Sequence, residues 1–386
     1  MRVLLVTSRY PLPARRGNQV RTMEWAGALA ENELGLICPA AGGPPQSSLQ
    51  FEWMPYRLGT ASRASGLLRA AAGGRPLQEG IYDTAAARRI VAQSVEHWQP
   101  DVAVIQMVRC GWASDIIRAS APDLPMIFDA IDAMGLHYER AGRKTAAPLS
   151  LAYLAEANRS RNREHELAAA AEVTVAVSER DLAALAVPAG RGRIVPVSGR
   201  EFQETESAVS GPVVLLSGNL GYRPTVRGAM WFAREVWPRL RAVVPDARWV
   251  LAGARPAAEV RRLDRIPGVE VCADLPDLAK VFSDSRVAIA PMNSGSGVPM
   301  KVLEAMAAGL PVVVHSWAAA GLVGEADAAV VVAEKVDDWI AALEPLLRDP
   351  EAAHDLGRRG YEVWRRFYHP VRVAEQIREV VAEAAG

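Results

Sequence analysis

The sequence predicts an α/β fold of two doubly wound parallel sheets that face each other across a central cleft. Three observations carry this reading. The chain has 386 residues, more than a single core usually holds. Short apolar runs alternate with stretches of helical spacing in both halves. The alternation breaks once, over residues 196–212, where Ser198, Gly199, Ser207, Ser210 and Gly211 accompany a short acidic stretch. This places one domain at 1–200, a linker at 201–211, a second domain at 212–368 and a terminal helix at 369–386.

Residues 2–7 are an apolar run that ends in Ser8-Arg9-Tyr10-Pro11, the pattern of a buried parallel strand entering a loop. Over 21–30, Met23, Ala26, Leu29 and Ala30 share one helical face. Strands are expected next at 35–38, 102–106, 126–129 and 173–177, with helices at 84–98 and 152–171. After the break the order is strand 213–217, helix 227–244, and strands 248–252, 269–272 and 287–290. Helix 301–308, strands 311–315 and 329–332, and helices 336–348, 351–367 and 371–385 follow. In such sheets ligands bind beyond the carboxyl ends of the strands, so the loops there should carry the chemistry.

Composition narrows the function. Lys plus Arg and Asp plus Glu both number 44, so no bulk charge favours nucleic acid or an anionic membrane. A chain that is 50% hydrophobic and 23% charged is not disordered. Cys38, Cys110 and Cys272 form no CxxC pair, which signals neither a disulfide framework nor a zinc ribbon; each is expected as a small buried hydrophobe. The opening apolar run is too short for a signal peptide, and no stretch has the length of a membrane span. A reduced, cytoplasmic protein is expected. His97, His165, His315, His354 and His369 lack metal-ligand spacing, and no metal site is expected. Trp231, Trp237, Trp339 and Trp364 fall in amphipathic helices and read as core. Arg140, Arg143, Lys144, Arg159, Arg161 and Arg163 form a basic cluster. Glu156, Glu164 and Glu166 interleave with it, the usual sign of a solvated helix face.

The most informative segment is 291–313, PMNSGSGVPMKVLEAMAAGLPVV. A Gly/Ser-rich loop leaves a strand and opens a helix, and free N–H groups at a helix start suit a diphosphate. Lys301 adds a cation in the first turn, opposing the helix dipole unless an anion compensates. Glu304 stands one turn on, able to accept hydrogen bonds from a ribose diol. An ordinary strand–turn–helix with Lys301 and Glu304 solvated is the other reading these residues allow.

The Gly-rich loop, Lys-x-x-Glu, Ala-Met-Ala-x-Gly and Pro-Val-Val resemble the donor-site motif of family 4-type glycosyltransferases with the GT-B fold. So do Ser217-Gly218-Asn219-Leu220-Gly221-Tyr222-Arg223-Pro224-Thr225 with Trp231-Phe232 and Trp237-Pro238, and Val244-Pro245-Asp246-Ala247-Arg248 running into Leu251-Ala252-Gly253. Earlier in the chain Ser8-Arg9-Tyr10-Pro11, Arg16-Gly17, Arg21 and Phe128-Asp129-Ala130-Ile131-Asp132 are similar to a bacterial sugar-transferase branch of that family. The resemblance is dense over 213–323 and scattered before it.

The resemblance implies two Rossmann-like domains, the C-terminal one binding a nucleotide-diphosphate sugar and the N-terminal one an acceptor, with the last helix packing back on the N-terminal domain. It implies transfer with retained configuration, without an obligatory metal and with no cofactor beyond the donor; no Asp-x-Asp spacing occurs in the chain. By position, Glu304 would bind the ribose, and Lys301 with Arg223 or Arg227 would face the diphosphate. Gly17, Asn219, Ser294, Gly295, Ser296, Gly297 and Val298 complete the expected donor set.

Ser296 stands where the family often has a sugar-contacting glutamate, which puts recognition on the amides of 294–298. Asp129 stands where many members have a histidine near the reacting centre, with Asp132 just beyond. Asp129 is expected either to accept a proton or bond the donor sugar, or to cap the next helix. With Lys301, these two aspartates are the catalytic candidates. Gly17-Asn18 would approach the donor phosphate or simply turn the chain. Arg9, Arg16 and Arg21 would bind phosphate or solvate the surface. Arg9, His137 and Tyr138 are the acceptor-side candidates.

The expected function is transfer of a sugar from a UDP- or GDP-type donor to a small soluble acceptor. A peripheral-membrane enzyme using a lipid-linked saccharide is one alternative, and an epimerase or pseudoglycosyltransferase of the same fold another. No nucleic-acid partner is expected.

Overall fold

A computed structural model describes residues 1–14, 16–41, 43–45, 47–199, 201, 211–275, 277–294, 299–324 and 329–386. The chain divides into two compact units, Met1–Val197 with Val373–Gly386, and Ser198–Arg372. Most of the expected linker, residues 202–210, lies outside the described residues.

The first unit holds β1 (Arg2–Val6), β2 (Glu33–Pro39), β3 (Glu52–Tyr56), β4 (Val102–Gln106), β5 (Met126–Ile131), β6 (Val173–Ala176) and β7 (Gly192–Ile194). They form one sheet in the order β3-β2-β1-β4-β5-β6-β7, every pair parallel. Its helices are α1 (Gly17–Ala28), α2 (Thr60–Ala72), α3 (Leu77–Gly80), α4 (Ala85–Gln93), α5 (Trp112–Ser120), α6 (Met134–Arg143), α7 (Leu149–Ala170) and α8 (Glu179–Ala184).

The central strands β1, β4, β5 and β6 are mostly apolar because both faces are covered. Side chains alternate across the sheet. Val3 and Leu5 of β1 pack with Trp25, Leu29 and Ile377. Leu4 and Val6 pack with Val91, Trp112 and Ile117 on the opposite face.

The second unit holds β8 (Val213–Ser217), β9 (Arg248–Gly253), β10 (Val269–Ala273), β11 (Val287–Ala290), β12 (Val312–Val314) and β13 (Val331–Val332). Their order is β10-β9-β8-β11-β12-β13, again all parallel. The helices are α9 (Arg223–Trp231), α10 (Trp237–Val243), α11 (Ala258–Arg262), α12 (Ala279–Ser283), α13 (Met300–Ala307), α14 (Ser316–Ala319), α15 (Val336–Arg348) and α16 (Pro350–Phe367). The final helix, α17 (Pro370–Ala385), returns to the first unit. There Val373, Ile377, Val380 and Val381 join the layer formed by α1.

Both sheets reverse strand order at the first strand of the unit, between β1 and β4 and between β8 and β11. Crossovers leave in opposite directions at these points and open a crevice at the strands' carboxyl ends. The tryptophans expected as core are core: Trp237, Trp339 and Trp364 are buried and Trp231 half-buried. Phe232 lies 4.8 Å from Trp249, ring centre to ring centre. Cys38 and Cys110 are buried, but Cys272 is half-exposed at the edge of the second sheet, so its expected burial is corrected.

Several elements differ from expectation. β3 carries Pro55 and lacks an apolar run, and β7 has three residues, so neither has a strand's sequence pattern. The helix expected at 227–244 is interrupted by a π-turn at Phe232–Val236. Pro238 has no N–H for a bond to the preceding turn, and the wider turn accommodates it. The helix expected at 152–171 is the 22-residue α7, the second arm of a hairpin with α6.

Glycines test this packing. A Cβ on Gly66 of α2 would sit 2.1 Å from the Gly80 carbonyl oxygen, whereas one on Gly27 of α1 meets nothing within 4 Å. Gly66→Ala should therefore destabilise the protein by about 1–3 kcal/mol, and Gly27→Ala should stabilise it by about 0.5–1 kcal/mol. Thermal unfolding of the two variants checks both signs.

Candidate functional site

In the second unit the switch point is built around Gly218, directly after β8. Its φ of 106° lies in the region that favours glycine. Its N–H donates to Ala252 O at 3.0 Å, and its carbonyl accepts from Ala254 N at 3.1 Å. The turn is thereby tied to the end of β9. The Lys301 side chain passes beneath it, with Cε 3.4 Å and Nζ 3.8 Å from where a Gly218 Cβ would stand.

Lys301 Nζ donates to Thr225 Oγ1 at 3.0 Å, and both residues are buried. Burial lowers the Lys301 pKa to about 8, with Glu304 pulling the other way. Glu304 is half-buried, one turn along α13. The helices that converge here, α9 and α13, begin at Tyr222 and Pro299 without a side-chain cap, and neither has an acidic residue in its first turn. Uncapped helix starts beside a buried ammonium make an electropositive end suited to an anion.

Arg227 Nη2 donates to Ser294 Oγ at 2.8 Å, which joins two expected donor residues across α9 and the β11 loop. Arg223 lines an open groove together with Arg227, Val226, Met230, Trp231, Arg234 and Glu259. Asn219 shapes the loop, its Oδ1 accepting from Gly221 N at 3.0 Å. Gly295, Ser296, Gly297 and Val298 lie outside the described residues. Thr225 is the residue that sequence reasoning passed over. It lies inside the quoted motif, and its buried hydroxyl becomes meaningful only once Lys301 is seen against it.

In the first unit Arg21 and Asp129 form a fully buried ion pair. Arg21 Nε lies 3.1 Å from Asp129 Oδ2, and Nη2 lies 3.3 Å from Oδ1. Gln106 Nε2 also donates to Oδ2 at 3.1 Å, and Thr22 Oγ1 donates to Gln106 Oε1 at 2.6 Å. Arg21 Nη1 reaches Pro196 O at 3.0 Å. Burial opposes the Arg21 charge, and Asp129 and Glu24 more than offset it. The expectations that Asp129 meets the reacting sugar and that Arg21 meets phosphate or solvent are therefore corrected. Both side chains are fully enclosed, and the pair ties α1, β4, β5 and the end of the β7 segment together. Nor does Asp129 cap a helix.

Asp132, three residues on, remains half-buried. Just before it Ile131 holds a φ of 61°, and Met107, after the paired strand β4, a φ of 65°. Left-handed backbone at non-glycine residues stores strain, which tends to cluster at functional ends of sheets. Gly17 opens α1 with open space where a Cβ would be. Around this β1–α1 loop, Ser8 Oγ, Arg9 Nε and Asn18 Nδ2 are shielded from solvent and have no hydrogen-bond partner among the described residues. Buried polar atoms usually have a partner, so this loop offers polar groups to a ligand.

His137 and Tyr138 stand side by side on α6, ring centres 5.6 Å apart, with Tyr138 stacked on Tyr153 at 6.2 Å. Burial, then Arg109 and Arg140, lower the His137 pKa, so its imidazole is neutral at pH 7. The start of α6 is capped from α7, where Glu164 accepts from Met134 N at 2.6 Å and Gly135 N at 3.1 Å. Glu164 thus orients the helix that carries both acceptor candidates. Among the described residues no group of three or more His, Cys, Asp or Glu side chains is arranged to hold a metal ion.

Residues 211–349 match the family model described as glycosyl transferases group 1. No curated protein matches the chain. Among solved structures, sucrose-phosphate synthase from Thermosynechococcus elongatus aligns with a TM-score of 0.73 at 14% identity, over 99% of this chain and 98% of that one. The Anabaena protein HepE in complex with UDP aligns at 0.67 and 12% identity, over 99% of both chains. An α,α-trehalose-phosphate synthase (UDP-forming) from Burkholderia xenovorans, in complex with glucose-6-phosphate, aligns at 0.64 and 14% identity, over 99% and 100%. The second unit therefore carries a glycosyl transferases group 1 domain, and the chain as a whole has the GT-B fold of these neighbours.

Three substitutions separate structural from ligand-directed charge. Asp129→Ala would leave the buried Arg21 with Glu24, at 3.5 Å, as its remaining carboxylate partner, a loss of up to about 3–5 kcal/mol, whereas Asp132→Ala should cost much less; denaturant titration compares them. Lys301→Met should stabilise the ligand-free protein by roughly 1–2 kcal/mol. At pH 7 the lysine is charged despite a folded pKa of about 8 against 10.5 for the free side chain. Such a depressed pKa is a stability cost at neutral pH, relieved as pH rises from about 8 through 10.5. The wild-type protein should therefore gain stability over that window relative to Lys301→Met.

Proposed function

We propose that the protein moves a sugar from a UDP- or GDP-type nucleotide sugar to an acceptor, with retention of configuration and without a metal. The donor is held by the second unit and the acceptor by the first. The buried ammonium of Lys301 beneath Gly218 is the observation that carries this reading. Among the described residues this enclosed cation has Thr225 Oγ1 at 3.0 Å and a half-buried carboxylate one turn away, an arrangement held at a cost that a bound diphosphate would offset. HepE, a structural neighbour, is seen with UDP, which supports a nucleotide ligand for this fold.

In the reaction the bond from the sugar's anomeric carbon to the diphosphate breaks, and a bond to an acceptor oxygen forms. Negative charge grows on the leaving diphosphate, where Lys301, Arg227 and the starts of α9 and α13 stabilise it. Fixed donors aimed at developing charge are usually the largest catalytic contribution. Glu304 accepts from the ribose diol. In the first unit we assign to Asp132 the role of taking the acceptor's proton, and to Arg9, His137 and Tyr138 that of binding the acceptor. The trehalose-phosphate synthase neighbour is seen with glucose-6-phosphate, which accords with a sugar or sugar-like acceptor. Free Cys38, Cys110 and Cys272 suit a cytoplasmic setting.

Thermal shift against UDP, GDP, dTDP and ADP without added metal tests the donor site. The matching nucleotide at one hundred times its Kd should stabilise by about 2.7 kcal/mol, and Glu304→Ala should remove the shift. No shift with any of the four would overturn the reading. Release of nucleoside diphosphate only when acceptor is present marks transfer, whereas an isomerised donor without release marks epimerisation. Because the anion selects the charged lysine, nucleotide affinity should weaken above about pH 8, by up to about tenfold per pH unit. Lys301→Arg, which stays charged, should flatten that profile.

A further inference from the structure

The hairpin of α6 and α7 has a surface that the proposed reaction does not use. Residues 145–155, Thr-Ala-Ala-Pro-Leu-Ser-Leu-Ala-Tyr-Leu-Ala, contain no charged residue. Ala146, Ala147, Pro148, Leu149, Leu151, Ala152, Leu154 and Ala155 are all exposed, Leu149 at 54% and Leu151 at 65%. Isolated exposed leucines are ordinary, but a contiguous run at a turn is not. α7 begins without an acidic residue in its first turn and without a side-chain cap.

Charge surrounds this tip with one sign. Over 139–161 the flanks carry Arg140, Arg143, Lys144, Arg159 and Arg161 against only Glu139 and Glu156. Glu156 is buried, accepting from Gln78 N of α3 and lying 3.8 Å from Arg159 Nη1, so the two carboxylates offset only part of the charge of the five basic residues. Glu139 is shared by Arg143 and Arg161, which leaves the flanks cationic. Arg163, counted with this cluster on sequence grounds, is buried against Glu79 and Gly111 O and takes no part. Next along the layer, α2 holds Arg63 and Arg69, no acidic residue, and an exposed Leu68.

We propose that the α6–α7 tip docks on an anionic bilayer surface, with Leu149, Leu151 and Leu154 entering the headgroup layer and the flanking cations meeting lipid phosphates. An apolar tip between basic flanks is the pattern of an interfacial segment. A second copy of the chain fits it less well, since a two-fold contact would set cationic flank against cationic flank. The docking rests on the first unit alone. One consequence rests on the proposed function: His137 and Tyr138 lie on the same α6, so an acceptor bound there would be drawn from the membrane. This favours a lipid-linked acceptor over the small soluble one expected from composition.

Co-sedimentation of the full chain with vesicles tests the docking. The protein should pellet with phosphatidylglycerol/phosphatidylcholine vesicles, and at least about tenfold less with phosphatidylcholine alone or at high salt. Leu149→Ser/Leu151→Ser should weaken sedimentation about tenfold or more with unchanged thermal unfolding, since both side chains are exposed. Arg143→Glu/Lys144→Glu should remove the lipid preference. Failure to pellet, or undiminished pelleting of the leucine variant, overturns the proposal. So does a wild-type dimer, seen by light scattering, that the leucine variant dissociates. Nucleotide thermal shift on the same samples reports the donor site separately: vesicle binding without a nucleotide shift retains the docking and rejects the transferase reading.

Discussion

A charge taken out of water needs a partner, and the two units meet that requirement differently. In the first, Arg21 and Asp129 satisfy each other within hydrogen-bond distance, and Gln106 and the Pro196 carbonyl take up neighbouring positions. The sheet ends around them are fixed as a result. In the second, Lys301 is as deeply enclosed but has a hydroxyl and a more distant carboxylate in place of an ion pair. One site has completed its electrostatics internally; under the proposed function a bound anion completes the other.

That contrast decides which conspicuous charges are structural. Asp129 sits at a strand end in a suggestive motif, yet both its oxygens are occupied by a buried guanidinium and the side chain is fully enclosed. Its influence on chemistry would run through position, by holding β5 where Ile131 adopts its left-handed conformation and Asp132 emerges half-buried. The same logic applies on α7, where Glu164 caps α6 while burial raises its pKa to about 7. The capping bonds to Met134 and Gly135 favour the ionised form, and desolvation opposes it more strongly. A group held between those pulls orders the acceptor helix without facing the acceptor.

Much of this was legible in the sequence, because buried parallel strands are short apolar runs and their spacing reveals the two sheets. The Gly218 turn and the Lys301 helix start were legible as well, since glycine after a strand and lysine in a first helical turn have backbone and dipole consequences that need no neighbours. Partnerships across long sequence separations were not legible. Nothing local indicates that Arg21 meets Asp129, 108 positions away, or that Thr225 meets Lys301. β3 and β7 were hidden because edge strands need not carry a continuous apolar run.

The α6–α7 hairpin shows the same limit in its sharpest form. Read linearly, basic residues interleaved with glutamates describe a solvated face. Folding redistributes them: Glu156 and Glu164 turn inward to hold α3 and α6, and Arg163 turns inward to Glu79, while the uncharged segment between the helices is left outside. Zero net charge for the whole chain therefore says little about any one surface. The acids of this region are drawn into structural roles, and an apolar tip with cationic flanks is what remains. Composition argues for a soluble acceptor only if charges are exposed in the proportions in which they are encoded, and on this hairpin they are not.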